Sequence, residues 1–265
     1  MKEFNFHRAS SVSDAVAAVK AASSGKFLAG GQSLLPVLKL EMAEPSDLVS
    51  IARIADLHGI RVEPDKVLIG ATTTHAEVAA SAEVRRAIPA LAALADHIGD
   101  AQVRNRGTLG GSVAHADPSA DYPAALVALG ATVKTDRRAL AAEDFFTGLF
   151  ETALAPDELV VAVHFPIPER AAYAKFASHA SKYALCGVMV AKTSSGVRVA
   201  VTGAGASVFR VPAMEQALSA RFSPEALDGI TVPADDLLSD AQTSAEYRAH
   251  LVTVMARRAV AAALA

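Results

Sequence analysis

An α+β fold is predicted for this chain by three observations. Near the start, residues 26–29 and 47–51 are short apolar strands. They are separated by a glycine-rich turn and a short helical stretch at 34–40, and this β–loop–helix–β unit implies a small parallel sheet. Residues 83–98 form a long stretch rich in alanine and leucine with helical spacing. Beyond them, 173–178, 183–192 and 197–202 are strands at hairpin spacing, with Ser194-Ser195-Gly196 as a tight turn between the last two; this is an antiparallel meander.

The remaining elements follow in order. Residues 13–22 carry alanine and valine at helical spacing, Ser11 or Ser13 can act as N-cap, and Gly25 ends the helix. Residues 60–63 and 67–71 form a hairpin around Pro64-Asp65. Thr74 caps a helix beginning at His75, its Oγ accepting from an early helical N–H. Pro89 interrupts the 83–98 stretch. Residues 122–129 are helical and closed by Gly130, and 131–134 and 158–165 are strands. Pro166 and Pro168 with Glu169-Arg170 mark a domain boundary, and helices follow the meander at 212–219, 224–228 and 244–264.

Composition narrows the function classes. The 265 residues are 52% hydrophobic, enough for a sizeable core. The net charge of −3 and the lack of a basic run argue against nucleic acid as a partner. The first residues lack the apolar stretch of a signal peptide, and no apolar run reaches membrane-spanning length. The single cysteine, Cys186, lies in an apolar strand and reads as a small core residue; a lone thiol fits a reducing, cytoplasmic setting.

Two glycine-rich segments carry the chemistry. The first is Ala29-Gly30-Gly31-Gln32-Ser33-Leu34-Leu35-Pro36. The second is Arg106-Gly107-Thr108-Leu109-Gly110-Gly111-Ser112-Val113-Ala114-His115, continuing to Pro118-Ser119-Ala120-Asp121. Glycine permits close backbone approach, and exposed N–H groups in such a turn make a concavity for an anion. Two of them suggest a grip on both sides of one large anionic cofactor, such as a dinucleotide diphosphate. Neither fits a G-x-G-x-x-G or P-loop pattern. His97, His115, Asp117 and Asp121 match no standard metal spacing, so no metal is assigned. His7, His58, His75, His164, His179 and His250 read as surface or capping residues, and Lys192 and Arg198 as solvated. Gly203-Ala204-Gly205 reads as a strand-to-helix turn.

With these segments in place, the chain resembles the FAD-binding medium subunits of the molybdenum hydroxylases, the family of carbon monoxide dehydrogenase and the xanthine dehydrogenases. The resemblance spans nearly the whole chain. It rests on 29–36, on Asp47-Leu48-Val49-Ser50-Ile51, on Ile69-Gly70-Ala71-Thr72-Thr73-Thr74 and on 104–112. Pro118-Ser119-Ala120-Asp121, Asp157-Glu158-Leu159 and Tyr173-Ala174-Lys175-Phe176 extend it.

The resemblance implies a two-subdomain FAD-binding fold of the PCMH, vanillyl-alcohol-oxidase-like type over 1–168, with subdomains of about 1–55 and 56–168. A C-terminal flavoprotein domain with a three-stranded antiparallel sheet and helices would cover 169–265. It places the diphosphate on Ala29, Gly30, Gly31, Gln32, Ser33 and Leu34, with Thr108, Gly110, Gly111 and Ser112 from the second segment. Ser112 stands where many members have Asn, and His115 where Thr or Asn is frequent; His115 would still donate to a phosphate or ribose oxygen. Asp121 would hold the adenosine ribose, Leu159 would pack on the flavin or adenine, and Lys175 would reach the flavin ring. Gln32 cannot form the covalent flavin bond that a histidine makes in related folds, so FAD would be non-covalent.

The resemblance further implies an electron-exit subunit, with no catalytic residue toward the organic substrate. Molybdopterin would sit in a large partner subunit and two [2Fe-2S] clusters in a small one, in a dimer of heterotrimers. The acceptor stays open among quinone, dioxygen, a cytochrome and NAD. Residues 100–106 are the expected contact with the small subunit. The alternatives are a stand-alone FAD oxidase or reductase of the same fold, for which no catalytic base is visible, and a flavin-free scaffold.

Overall fold

The computed structural model describes residues 2–241 and 243–265. The chain opens with strand β1 (Asn5–Arg8), helix α1 (Val12–Ala21), β2 (Gly25–Leu28), α2 (Leu34–Lys39) and β3 (Asp47–Ser50). The three strands form a parallel sheet in the order β1-β3-β2. Ser11 is the N-cap of α1, its Oγ accepting from the Asp14 N–H at 3.1 Å. Ala15, Val19, Val49, Ile51 and Leu57 fill the space between α1 and the sheet. Strand β1 was not expected from sequence: all four of its residues are exposed, so no apolar alternation betrays it.

The middle of the chain runs through the hairpin β4 (Ile60–Val62) and β5 (Lys66–Gly70), then α3 (His75–Ala80), α4 (Ala82–Ala87), α5 (Pro89–Asp96), α6 (Ala101–Arg104), α7 (Leu109–His115) and α8 (Tyr122–Leu129). It continues with β6 (Thr132–Thr135), β7 (Ala139–Ala141), α9 (Ala142–Phe145), the hairpin β8 (Phe146–Gly148) and β9 (Glu151–Thr152), and β10 (Val160–Pro166). A five-stranded antiparallel sheet in the order β4-β5-β10-β6-β7 supports the helices. Thr74 caps α3 as expected, in a reciprocal capping box with Glu77. Pro89 starts α5 at the expected break. All eight residues of α8 are buried, and Gly130 ends it in the left-handed conformation at φ 66°.

The C-terminal part comprises β11 (Arg170–Ala177), β12 (Ala184–Thr193), β13 (Gly196–Thr202), β14 (Phe209–Arg210), α10 (Pro212–Ala220) and α11 (Ala245–Leu264). Its antiparallel sheet has four strands where three were expected, because the two residues of β14 pair with β13. Gly203-Ala204-Gly205 therefore leads to a strand before helix α10. The sheet is covered on both sides. Cys186, Val188, Val190, Val199 and Val201 meet α10 and α11, while Met189, Ala191 and Ala200 join the core built around α5 and α8. This two-sided burial explains why β12 is apolar almost throughout. Cys186 is fully buried, and desolvation pushes its thiol up to about 12.

Arg198 is not solvated. It donates to Glu143 at 2.7 Å and to the Val127 carbonyl at 3.3 Å, and Arg210 joins Glu143 to Glu215, each at 2.7 Å. This network ties β13 and β14 to α8 and α9. Among the described residues no helix is long and apolar enough to cross a membrane.

Candidate functional site

A cleft of about 530 Å³ opens where the N-terminal sheet, the helical middle and the start of the C-terminal sheet meet. Ala29, Gly30, Gly31, Gln32, Ser33 and Leu34 form one wall, and Thr108, Gly110, Gly111, Ser112 and His115 form another. Asp121 and Leu159 also line it. The two glycine segments touch: a Cβ on Gly30 would lie 1.9 Å from the Arg106 carbonyl oxygen. Only a residue without a side chain allows this crossing.

The first segment matches the need for an anion cradle. The N–H groups of Gly30, Gly31, Gln32 and Ser33 have no hydrogen-bond acceptor among the described residues. Gly31 sits at φ 74°, the left-handed region, which turns the chain before α2. Ser33 precedes α2 but makes no capping bond, so its hydroxyl is also uncommitted. Successive unpaired N–H groups at a cleft wall are what a diphosphate requires.

The second segment departs from the expectation of a matching loop. It is the start of α7, and Gly110 and Gly111 are helical. Most of its N–H groups are committed: Leu109 donates to Thr73 O at 3.0 Å, Gly110 to Ala71 O at 2.8 Å, Gly111 to Thr108 Oγ1 at 3.2 Å and Ser112 to Thr108 O at 3.0 Å, while the Thr108 N–H has no acceptor among the described residues. Gly110 is a packing residue, since a Cβ there would meet Ala71 Cβ at 2.5 Å. Gly111 is exposed to the cleft; beyond Thr108 Oγ1, an added Cβ would meet only Ala29 Cβ, at 4.0 Å. This wall thus offers close approach, the Thr108 N–H and the Ser112 hydroxyl, in place of a second run of unpaired N–H groups. His115 packs against Phe150 of the β8–β9 hairpin, with ring centroids 5.2 Å apart and the planes tilted by 47°.

Lys175 requires correction. It does not line the cleft: its Nζ donates to Asp121 at 3.0 Å and to the His97 carbonyl at 3.1 Å. Asp121 also accepts from Tyr173 Oη at 2.6 Å. The ion pair thus commits Lys175 to Asp121, the residue expected at the ribose, instead of leaving its charge open for a flavin ring. Burial pushes the Asp121 carboxyl up, while the Lys175 charge and the Tyr173 hydroxyl hold it down. The Pro118–Asp121 turn is pinned from the C-terminal sheet by Thr202 Oγ1, which lies 2.9 Å from the Pro118 carbonyl and 2.6 Å from that of Ala120.

Several cleft residues were not anticipated. Lys26 and Lys182 bring positive charge, and Leu154, Pro156 and Tyr183 bring apolar surface. His75, expected as a surface or capping residue, is buried and lines the cleft. Arg104, expected at a partner contact, is turned inward to the carbonyls of Ile98 and Gly99. Among the described residues no three His, Cys, Asp or Glu side chains assemble into a metal site.

The lip around Leu159 is held by an ion pair. Arg138 binds Glu158 through two bonds of 2.7 and 2.8 Å, and the Ala155 N–H adds a third at 3.0 Å. Arg138 holds the Glu158 carboxyl well below its ordinary 4.5, at about 2. Because the folded value lies below the unfolded one, the stabilisation is present above about pH 4.5 and is lost as pH falls toward about 2. Glu158→Gln is therefore expected to flatten the acid side of a stability-against-pH curve, read from urea melts between about pH 2 and 5. A curve parallel to wild type would show that the pair does not contribute.

The chain matches a family model described as the FAD binding domain in molybdopterin dehydrogenase over residues 2–168. It is 36% identical to the nicotine 6-hydroxylase medium subunit of Paenarthrobacter nicotinovorans, covering 94% of this chain and 93% of that one. It is 36% identical to the carbon monoxide dehydrogenase medium chain of Hydrogenophaga pseudoflava, covering 99% and 97%. A chain in the structure of reconstituted CO dehydrogenase from Oligotropha carboxidovorans superposes with a TM-score of 0.91 at 33% identity, covering 99% of this chain and 98% of that one.

Proposed function

Because this chain belongs to the family of FAD binding domains in molybdopterin dehydrogenases, we propose that it is the electron-exit medium subunit of a three-subunit molybdenum hydroxylase. FAD, when bound, supplies the ability to accept and release electrons singly or in pairs. Everything else is the work of this chain's residues: binding, orientation and exclusion of water. The N–H groups at 30–33 and the Ser33 hydroxyl would hold the diphosphate. Gly111 would let it approach α7. Asp121, kept in place by Lys175 and Tyr173, would accept from ribose hydroxyls. Leu154, Pro156 and Leu159 would cover an aromatic ring.

The observation that carries this reading is the run of unpaired N–H groups at 30–33, facing a cleft closed on its other side by α7. The partners in the proposal are a small iron–sulfur subunit, a large molybdopterin subunit and a dimer of such heterotrimers. It also includes a cytoplasmic setting, an FAD-binding unit over 1–168 and a C-terminal unit over 169–265. The electron acceptor is not part of it.

The test uses the full chain, purified alone and with its co-purifying partners. One FAD per chain, released intact by acid, with no turnover of organic substrates by the chain alone, is the expected result. Colourless protein that takes up no FAD would overturn the reading. Substrate turnover by the isolated chain would replace it with a self-sufficient flavin enzyme.

A further inference from the structure

His75 occupies an unusual position in the cleft. It is the first residue of α3, its backbone N–H donates to the Gly107 carbonyl at 3.0 Å, and the residue is 5% exposed. The ring lies against Tyr122, with centroids 5.4 Å apart. Its Nε2 is fitted to Gly107, where an added Cβ would lie 2.7 Å away. Gly107 in turn sits under the first glycine segment, its Cα 3.0 Å from the place a Gly30 Cβ would take.

Both ring nitrogens lack partners. Nδ1 is sealed from solvent and makes no hydrogen bond, and the neighbouring Tyr122 hydroxyl is sealed and unpaired as well. Nε2 has no hydrogen-bond partner among the described residues. Burial, with the Arg104 charge acting in the same direction, pulls the imidazole down to about 4, so it is neutral near pH 7 and carries one N–H. A buried N–H without an acceptor is rarer than an acceptor without a donor. The proton therefore belongs on Nε2, the nitrogen beside the glycine junction. A leucine would fill this space without an unpaired polar atom. The imidazole is accounted for by a group that the cleft receives.

We propose that His75 is a cofactor contact: its Nε2–H donates to a phosphate oxygen of FAD at the junction of the two glycine segments. This rests on the FAD-binding reading above. The donor is a neutral one, added to a cradle of backbone N–H groups and serine hydroxyls.

The experiment compares wild type, His75→Leu and His75→Gln as full chains, stripped of flavin and titrated with FAD. His75→Leu is expected to weaken FAD binding about tenfold, the value of one hydrogen bond of about 1.4 kcal/mol, and His75→Gln to recover most of the loss. The phosphorus NMR resonances of bound FAD should shift in the Leu variant. The flavin-free Leu variant should melt no lower than wild type, because it loses an unpaired buried nitrogen. Wild-type affinity in His75→Leu, unshifted phosphorus resonances, or a loss of affinity matched by a drop in melting temperature without flavin would each overturn the proposal. Failure of wild type itself to take up FAD would instead overturn the functional reading beneath it.

Discussion

Gly30→Ala is expected to abolish FAD binding and to lower the melting temperature of the flavin-free chain. The new Cβ would lie 1.9 Å from the Arg106 carbonyl oxygen and 2.8 Å from its carbon. Both are backbone atoms, so no side chain can swing aside. The two glycine segments must move apart, and with them the contact between the N-terminal sheet and α7. Overpacking of this kind costs about 1–3 kcal/mol when neighbours can adjust, and a rigid backbone contact falls at or beyond the upper end. Flavin absorbance of the purified variant and a thermal melt without flavin provide the check. A yellow variant with a wild-type melt would mean that the segments do not cross as described.

Gly111→Val is expected to separate binding from folding. Its side chain would project into the cleft, with Thr108 Oγ1 as the one close neighbour. The cap made by Thr108 would loosen, at a cost of about 1 kcal/mol. The valine methyl groups would take the space where the proposed site brings the diphosphate against α7. FAD affinity should fall at least a hundredfold, while the flavin-free chain melts within a few degrees of wild type. Titration by flavin fluorescence beside a thermal melt distinguishes the two effects. Wild-type occupancy would remove α7 from the cofactor site.

Much of this architecture is visible in local patterns. The cap at Thr74, the break at Pro89, the glycine after Leu129 and the hairpin at 194–196 act through neighbours in the chain, and each lies where expected. The misreadings share one cause, which is partners distant in sequence. Gly110-Gly111 resembles a loop until Thr108 is seen as an N-cap and Ala71 and Thr73 as acceptors. Lys175 has a free cation's composition but is neutralised by Asp121, which no local rule pairs with it. Arg198 flanks a turn, yet α8 and α9 supply its acceptors. His75 did leave a signal, since it directly follows the Thr72-Thr73-Thr74 run that marked the segment. Its burial depended on Gly107 and Tyr122, which approach only in the fold.

Strands β12 and β13 send alternate side chains into two different cores, one of them shared with α5 and α8. The proline-containing seam after Phe165 is thus bridged by shared packing. A hybrid made by grafting the last strands and helices of a relative onto this chain would have to match Met189, Ala191 and Ala200 to the helix surfaces they fill. It would also have to keep Thr202 over the Pro118–Asp121 turn. Splicing at the seam without those matches would disturb the cofactor cleft from behind, although every residue of its glycine walls remained unchanged.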